Sequence, residues 1–211
     1  MLTLLYAFFK GLIFGATMTA IPGPIFFLIM QRTLSAGALA GLVCGFGSVA
    51  ADAVFAIVAL IGLSFVTNLL IAYQGWFSLI GGLFLLYLGV KTFYSAIAIK
   101  PIGIHDKRLI SSALSAFVLT IANPITIITF SIIFAGLGSG DSVTFQSTAL
   151  AMVSGVIFGA AGTVILLTLF FSFFRDKLSM VTLRRINKIG GVILFGFGIA
   201  TIVRSIHYFI S

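Results

Sequence analysis

Long apolar blocks alternate with short basic clusters along the chain. The charge-poor runs are about Leu5–Met30, Leu39–Val66, Leu69–Ala98, Ile110–Gly136, Ser147–Phe174 and Ile189–Ile206. Each approaches or exceeds the ~20 mostly apolar residues that cross a bilayer, so the pattern predicts six transmembrane helices. The extra length of several runs licenses tilt or breaks but fixes no angle. The divider between the second and third runs, Thr67–Trp76, is uncharged and marks the weakest boundary. The expected fold is all-α, one membrane domain over residues 1–211. No basic stretch precedes the first apolar run, and the first charge, Lys10, lies inside it. It is therefore expected to be a retained span rather than a cleaved signal.

Two of the runs are interrupted. Pro22-Gly23-Pro24 breaks the first and Asn123-Pro124 the fourth. A proline removes a backbone donor and clashes with the preceding turn. Unpaired backbone in hydrocarbon costs several kcal/mol, and it survives only where it packs on protein or lines a cavity. Exposed amides at a half-helix start attract a carboxylate, and exposed carbonyls at a half-helix end attract an ammonium. The plainer alternative is a pair of proline kinks.

The breaks also align with each other. Thr19 to Ile25 (T-A-I-P-G-P-I) corresponds to Thr120 to Thr126 (T-I-A-N-P-I-T), with Pro24 on Pro124 across a one-residue shift. Gly45–Ala51 matches Gly155–Ala161, and Ile80-Gly81-Gly82 with Gly89 matches Ile189-Gly190-Gly191 with Gly198. The offsets are about 100, 110 and 109, collinear over three spans, giving repeats at about 5–98 and 110–206. Three spans per repeat force the halves into opposite orientations, the plan of many secondary transporters, with a site near the midplane.

Composition narrows the class. Of 211 residues, 61% are hydrophobic and 8% charged, against roughly 25% charged in a soluble domain. Glu is absent, and the acids are Asp52, Asp106, Asp141 and Asp176. The net charge of +8 does not indicate nucleic acid, because the Lys and Arg residues lie in short clusters between apolar runs. That is the pattern of loops facing anionic lipid. Ten of the 12 fall on one side: Arg32, Lys91, Lys100, Lys107, Arg108, Arg175, Lys177, Arg184, Arg185 and Lys188. Lys10 and Arg204 remain for the other, with Asp141. Loops one, three and five are therefore expected in the cytoplasm and both termini outside.

Asp52 is the one acid within a span, near the middle of the second. Central placement costs ~2.5–3.5 kcal/mol on insertion scales, so a functional role is the default. It could bind a substrate ammonium or carry a proton; the structural alternative is an acid paired with Arg32 or a backbone amide. Asn123 could cap the broken helix or touch substrate. Thr19, Ser48 and Thr120 lie close to the breaks, although hydroxyls in membrane helices usually bond their own backbone. The substrate-binding candidates are thus Pro22, Gly23, Pro24, Asn123, Pro124, Thr19, Ser48 and Thr120.

Other features carry less. Cys44 stands alone in an apolar run, which rules out an intramolecular disulfide and reads as a small buried residue. His105 and His207 lack metal-site spacing. Glycines four apart, at Gly11/Gly15, Gly37/Gly41/Gly45 and Gly155/Gly159, suit close helix packing. Gly45-Phe-Gly mimics a dinucleotide fingerprint, but no strand precedes it. No nucleophile–base pair or metal cluster is visible, so neither an enzyme nor a cofactor is expected.

Taken in order, G-A-T-M-T-A-I-P-G-P, L-S-A-G-A-L-A-G-L, mid-span Asp52, I-G-G-L-F-L-L-Y-L-G-V-K and L-T-I-A-N-P resemble the LysE/RhtB amino-acid exporter family over the whole chain. The resemblance implies a bacterial inner-membrane exporter of amino acids or related small zwitterions, driven by the proton gradient. It implies functional roles for Pro22, Gly23, Pro24, Asp52, Asn123 and Pro124. Many members carry Asp or Asn directly after P-G-P and Lys after N-P, where this chain has Ile25 and Ile125, which points to a less polar pocket. The competing readings are a metal-ion exporter of similar fold and a non-transporting membrane assembly protein. The expected partners are the lipid bilayer and a small amino-acid-like substrate, with no nucleic acid; a homo-oligomer is left open.

Overall fold

The computed structural model describes residues 2–60, 72–95, 107–123, 126, 143–175 and 177–210. These form seven helices and no strand: α1 (Leu2–Ala20), α2 (Pro24–Ala36), α3 (Ala38–Leu60), α4 (Gln74–Tyr94), α5 (Lys107–Ile121), α6 (Val143–Arg175) and α7 (Met180–Ile210). Five are long and apolar enough to cross a membrane: Leu2–Ala20, Ala38–Val58, Gln74–Tyr94, Gln146–Arg175 and Met180–Phe209. The apolar part of α5, Leu109–Ile121, is shorter. The rest of the fourth predicted run lies largely outside the described residues, as do the first half of the Thr67–Trp76 divider and His105. Large apolar side chains cover the outside, with Ile13 63%, Phe158 64% and Leu166 68% exposed. Water would not tolerate so continuous an apolar face; lipid does.

The first apolar run is two helices. α1 stops at Ala20, and α2 starts at Pro24, whose fixed φ and missing amide suit the first helical position. α2 then continues through Gln31 and Arg32 to Ala36, so Arg32 lies on a helix rather than in the first loop. What joins α2 to α3 is Gly37 alone, at φ 99° and ψ 172°, a conformation that favours glycine. Its amide donates to the Thr33 carbonyl at 2.9 Å. Arg184, Arg185 and Lys188 likewise lie on the first turns of α7. Long basic side chains near a helix end can reach the interface without leaving the helix.

Two glycine seams hold the long helices together. α1 packs along α6, where a Cβ on Gly11 would run into the Met152 carbonyl and one on Gly15 into that of Val156. From the other side, Gly155 meets the backbone of Phe8 and Gly159 that of Leu12. The partner numbers rise together, so these helices run parallel. α4 packs along α7 in the opposite sense. A Cβ on Gly82 would sit 3.1 Å from the Gly198 oxygen, and one on Gly89 2.9 Å from the Gly191 oxygen. Close backbone approach of this kind supplies the dispersion contact that drives helix association in lipid.

α2 lies in the middle. Its Leu28 and Ile29 are fully buried in a core with Cys44, Val49, Leu88, Leu119, Val164 and Leu194, contributed by five of the six other helices, α3 to α7. Polar side chains fix its far end. Gln31 donates to Asn187 at 2.6 Å and to Ser35 at 3.2 Å, and Asn187 donates to the Thr92 carbonyl at 2.8 Å. One buried amide pair thus ties α2 to α4 and α7.

Candidate functional site

The break between α1 and α2 opens onto a cavity of about 200 Å³. Its construction starts with the prolines. Backbone bonding in α1 closes with the Ile21 amide donating to the Thr17 carbonyl at 3.1 Å. The carbonyls of Met18 and Ala20 would next receive amides from residues 22 and 24, but both are proline and have none. At the start of α2, the Phe27 amide donates to the Gly23 carbonyl at 3.0 Å. The amides of Ile25 and Phe26 precede that first bond and have no helical partner. The break therefore presents the negative end of one helix and the positive end of another within a few residues.

Asp52 comes to the same level by register. Across the Gly37 turn, Thr33 abuts Gly41. Eleven residues on, from 33 to 22 and from 41 to 52, the antiparallel pair brings Asp52 beside the break. Arg32 is left eight residues beyond Pro24 along α2, about 12 Å at 1.5 Å per residue. Among the described residues no ion pair joins them. The Asp52 carboxylate, half-buried, lines the cavity.

The three candidate hydroxyls line it as well. Thr19 donates to the Gly15 carbonyl at 2.9 Å, Ser48 to Gly45 at 2.8 Å and Thr120 to Ala116 at 2.9 Å. Each has spent its proton on its own helix, as hydroxyls in apolar helices tend to. What remains for a ligand is the oxygen lone pairs. Together with Asp52 and the α1 carbonyls they make an acceptor-rich wall, suited to a donor such as an ammonium.

α5 supplies the opposite wall. It ends at Ile121, and the Asn123 amide closes a turn on the Thr120 carbonyl at 3.1 Å. A helix usually ends before the residue that precedes a proline, as here. Pro124 itself lies outside the described residues.

Seven predicted residues thus meet in one cavity: Thr19, Gly23, Pro24, Ser48, Asp52, Thr120 and Asn123. Pro22 is exposed and does not line it. Ile25, expected to make the pocket less polar, lines it too; the rest of the wall was not singled out as such in the sequence. Thr126 belongs to the Thr120–Thr126 segment that aligns with the first break, so its signal was present. Phe14, Met18, Phe26 and Val156 are apolar walls that look like any lipid-facing residue in sequence. Among the described residues, no three of His, Cys, Asp and Glu gather as a metal site would require.

A family model described as LysE type translocator matches residues 16–205. An uncharacterized membrane protein of Synechocystis sp. is 21% identical over 200 residues, covering 92% of this chain and 95% of that protein. No solved structure matches.

Proposed function

The chain belongs to the LysE type translocator family of membrane exporters, and we propose that it exports amino acids or related small zwitterions in exchange for protons. One observation carries the reading: a single cavity joins the Pro-Gly-Pro break and Asp52 of the first half to Thr120 and Asn123 of the second. The ligand's ammonium lies against the hydroxyl oxygens and the α1 carbonyls, beside Asp52. Its carboxylate meets the Ile25 and Phe26 amides at the start of α2, and its side chain the apolar wall. A potential of 100 mV moving one charge supplies ~2.3 kcal/mol, which at ~1.36 kcal/mol per tenfold sustains roughly a 50-fold gradient. Asp52 is the group assigned to carry the proton.

Helix directions support six spans in two inverted repeats. First and fifth spans run the same way in such a plan, as α1 and α6 do. The third spans of the two halves are equivalent and opposed, as α4 and α7 are. The offset of 109 carries Gly82 onto Gly191 and Gly89 onto Gly198. A two-fold axis exchanging the halves therefore turns the Gly82–Gly198 contact into the Gly89–Gly191 contact. On this plan both termini are outside the cytoplasm of a bacterial inner membrane. A phosphatase fused after Ser211 is then active and a fluorescent protein folding only in the cytoplasm is dark; a bright reporter would refute the orientation.

The function itself is tested in vesicles reconstituted with the purified chain and loaded with unlabelled amino acids one at a time. Uptake of the labelled counterpart by exchange, above protein-free vesicles, supports the reading. Failure with every proteinogenic amino acid removes the amino acids as substrates.

A further inference from the structure

We infer that the groove between α2, α6 and α7 holds an acyl chain of an anionic phospholipid, with its phosphate on Lys177 and Arg185. The groove measures about 490 Å³, and apolar side chains alone line it, among them Phe27, Met30, Phe170, Phe174 and Ile189. α2 is its inner wall, so the helix that opens the cavity at Pro24 presents Phe27 and Met30 to the groove.

The groove has a charged mouth at one end. Ile186, Ile189 and Ile193 form its stripe on α7, and Arg185 sits four residues before Ile189, on the same side and one turn nearer the helix start. Leu178 lines the mouth next to Lys177. Lys177 and Arg185 are both exposed, and Lys177 lies 3.8 Å from the Phe173 ring centroid, bent along the apolar surface. Between residues 175 and 188 there are five basic residues and one acid, Asp176. The depth fits one leaflet: eight residues from Arg185 to Ile193 span about 12 Å at 1.5 Å per residue, against roughly 15 Å for half the hydrocarbon core.

A second copy of the chain is the rival occupant. An isologous contact across this groove would bring the two basic mouths together at the same membrane depth. Like charges oppose that arrangement, whereas a phosphate neutralises it.

The test uses the full chain purified in neutral detergent, with phosphatidylglycerol or phosphatidylcholine of identical acyl chains added. A ligand that binds the folded state raises the apparent Tm. We expect phosphatidylglycerol to raise it about 3 °C or more beyond phosphatidylcholine. Lys177→Gln/Arg185→Gln should abolish that difference while leaving the effect of phosphatidylcholine intact. Ile189→Trp, which fills the groove, should reduce the effect of both lipids. Equal stabilisation by the two lipids overturns the proposal, as does a phosphatidylglycerol advantage that survives the double substitution or the tryptophan. A dimeric mass that Ile189→Trp splits would assign the groove to a second copy and overturn it too.

Discussion

α3 and α6 align in sequence over Gly45–Ala51 and Gly155–Ala161, and the structure gives them matching neighbours. α3 lies against α5, with Gly47 on the Ala113 backbone, and α6 lies against α1, with Gly155 and Gly159 on Phe8 and Leu12. Their chemistry differs. α3 carries Asp52 at the cavity, while the aligned position of α6 is Gly162. A Cβ at Gly162 would meet nothing within 4 Å, so packing does not forbid a side chain there. The close contacts occur in both halves and the acid in only one. Substitutions in the frame should therefore cost folding, and substitutions at the acid should cost transport.

The largest effect is expected in the frame, and α6 contains its own control. Gly159→Leu drives a side chain into the Leu12 backbone, which cannot give as a flexible side chain would. Overpacking costs ~1–3 kcal/mol and more against backbone, and ~2–4 °C accompanies each kcal/mol in a chain of this size. The apparent Tm should drop at least ~6 °C, or the protein should fail to accumulate. Gly162→Leu, three residues on, should shift it less than ~2 °C. Similar losses at the two glycines would dissolve the distinction between seam and open face.

Next comes the break. Replacing Pro22, Gly23 and Pro24 with alanines restores the amides that α1's last carbonyls lack and favours a continuous helix. Membrane insertion should be normal, and exchange of labelled substrate should fall to that of protein-free vesicles. Exchange at the parental rate would reduce the break to a kink.

The break was legible in the sequence because proline acts locally: its missing amide cancels the same carbonyl in any fold. Asp52 was legible because a charge in an apolar run is conspicuous. The end of α2 was not. Gln31 and Arg32 look like loop residues after a span, and what keeps Gln31 buried is Asn187, 156 residues away. Nor could apolar walls be sorted. Phe26 lines the cavity and Phe27 the groove behind it, yet neighbouring phenylalanines read alike. Local backbone chemistry survives translation from sequence; the partner of a buried amide and the facing of an apolar residue depend on packing.

Asp52→Asn is expected to act more narrowly than the triple alanine change. The amide mimics the protonated acid and leaves the cavity's shape, so downhill exchange should persist while uphill export driven by a pH gradient stops. Equal loss of both modes would make Asp52 an ammonium ligand rather than a proton carrier. Uphill export at the parental rate would leave it a structural acid.

The smallest change tests whether the acid's half matters. Gly162→Asp adds a carboxyl where space is open, so close contacts do not oppose it. Its burden is a second mid-membrane charge, ~2.5–3.5 kcal/mol on insertion scales, which should lower the yield of folded protein. The protein that does fold should export like the parent, because Gly162 does not line the cavity and Asp52 is untouched. Combined with Asp52→Asn, the new acid should not restore uphill export. Asp52 stands beside the paired ends of α1 and α2, where the ligand's ammonium is assigned, and residue 162 is on α6, six residues past Val156 and outside the cavity wall. A proton bound there exchanges with nothing in the cavity. Restored uphill export in the double variant would mean that either half can carry the proton, and that the asymmetry between Asp52 and Gly162 is not what couples transport.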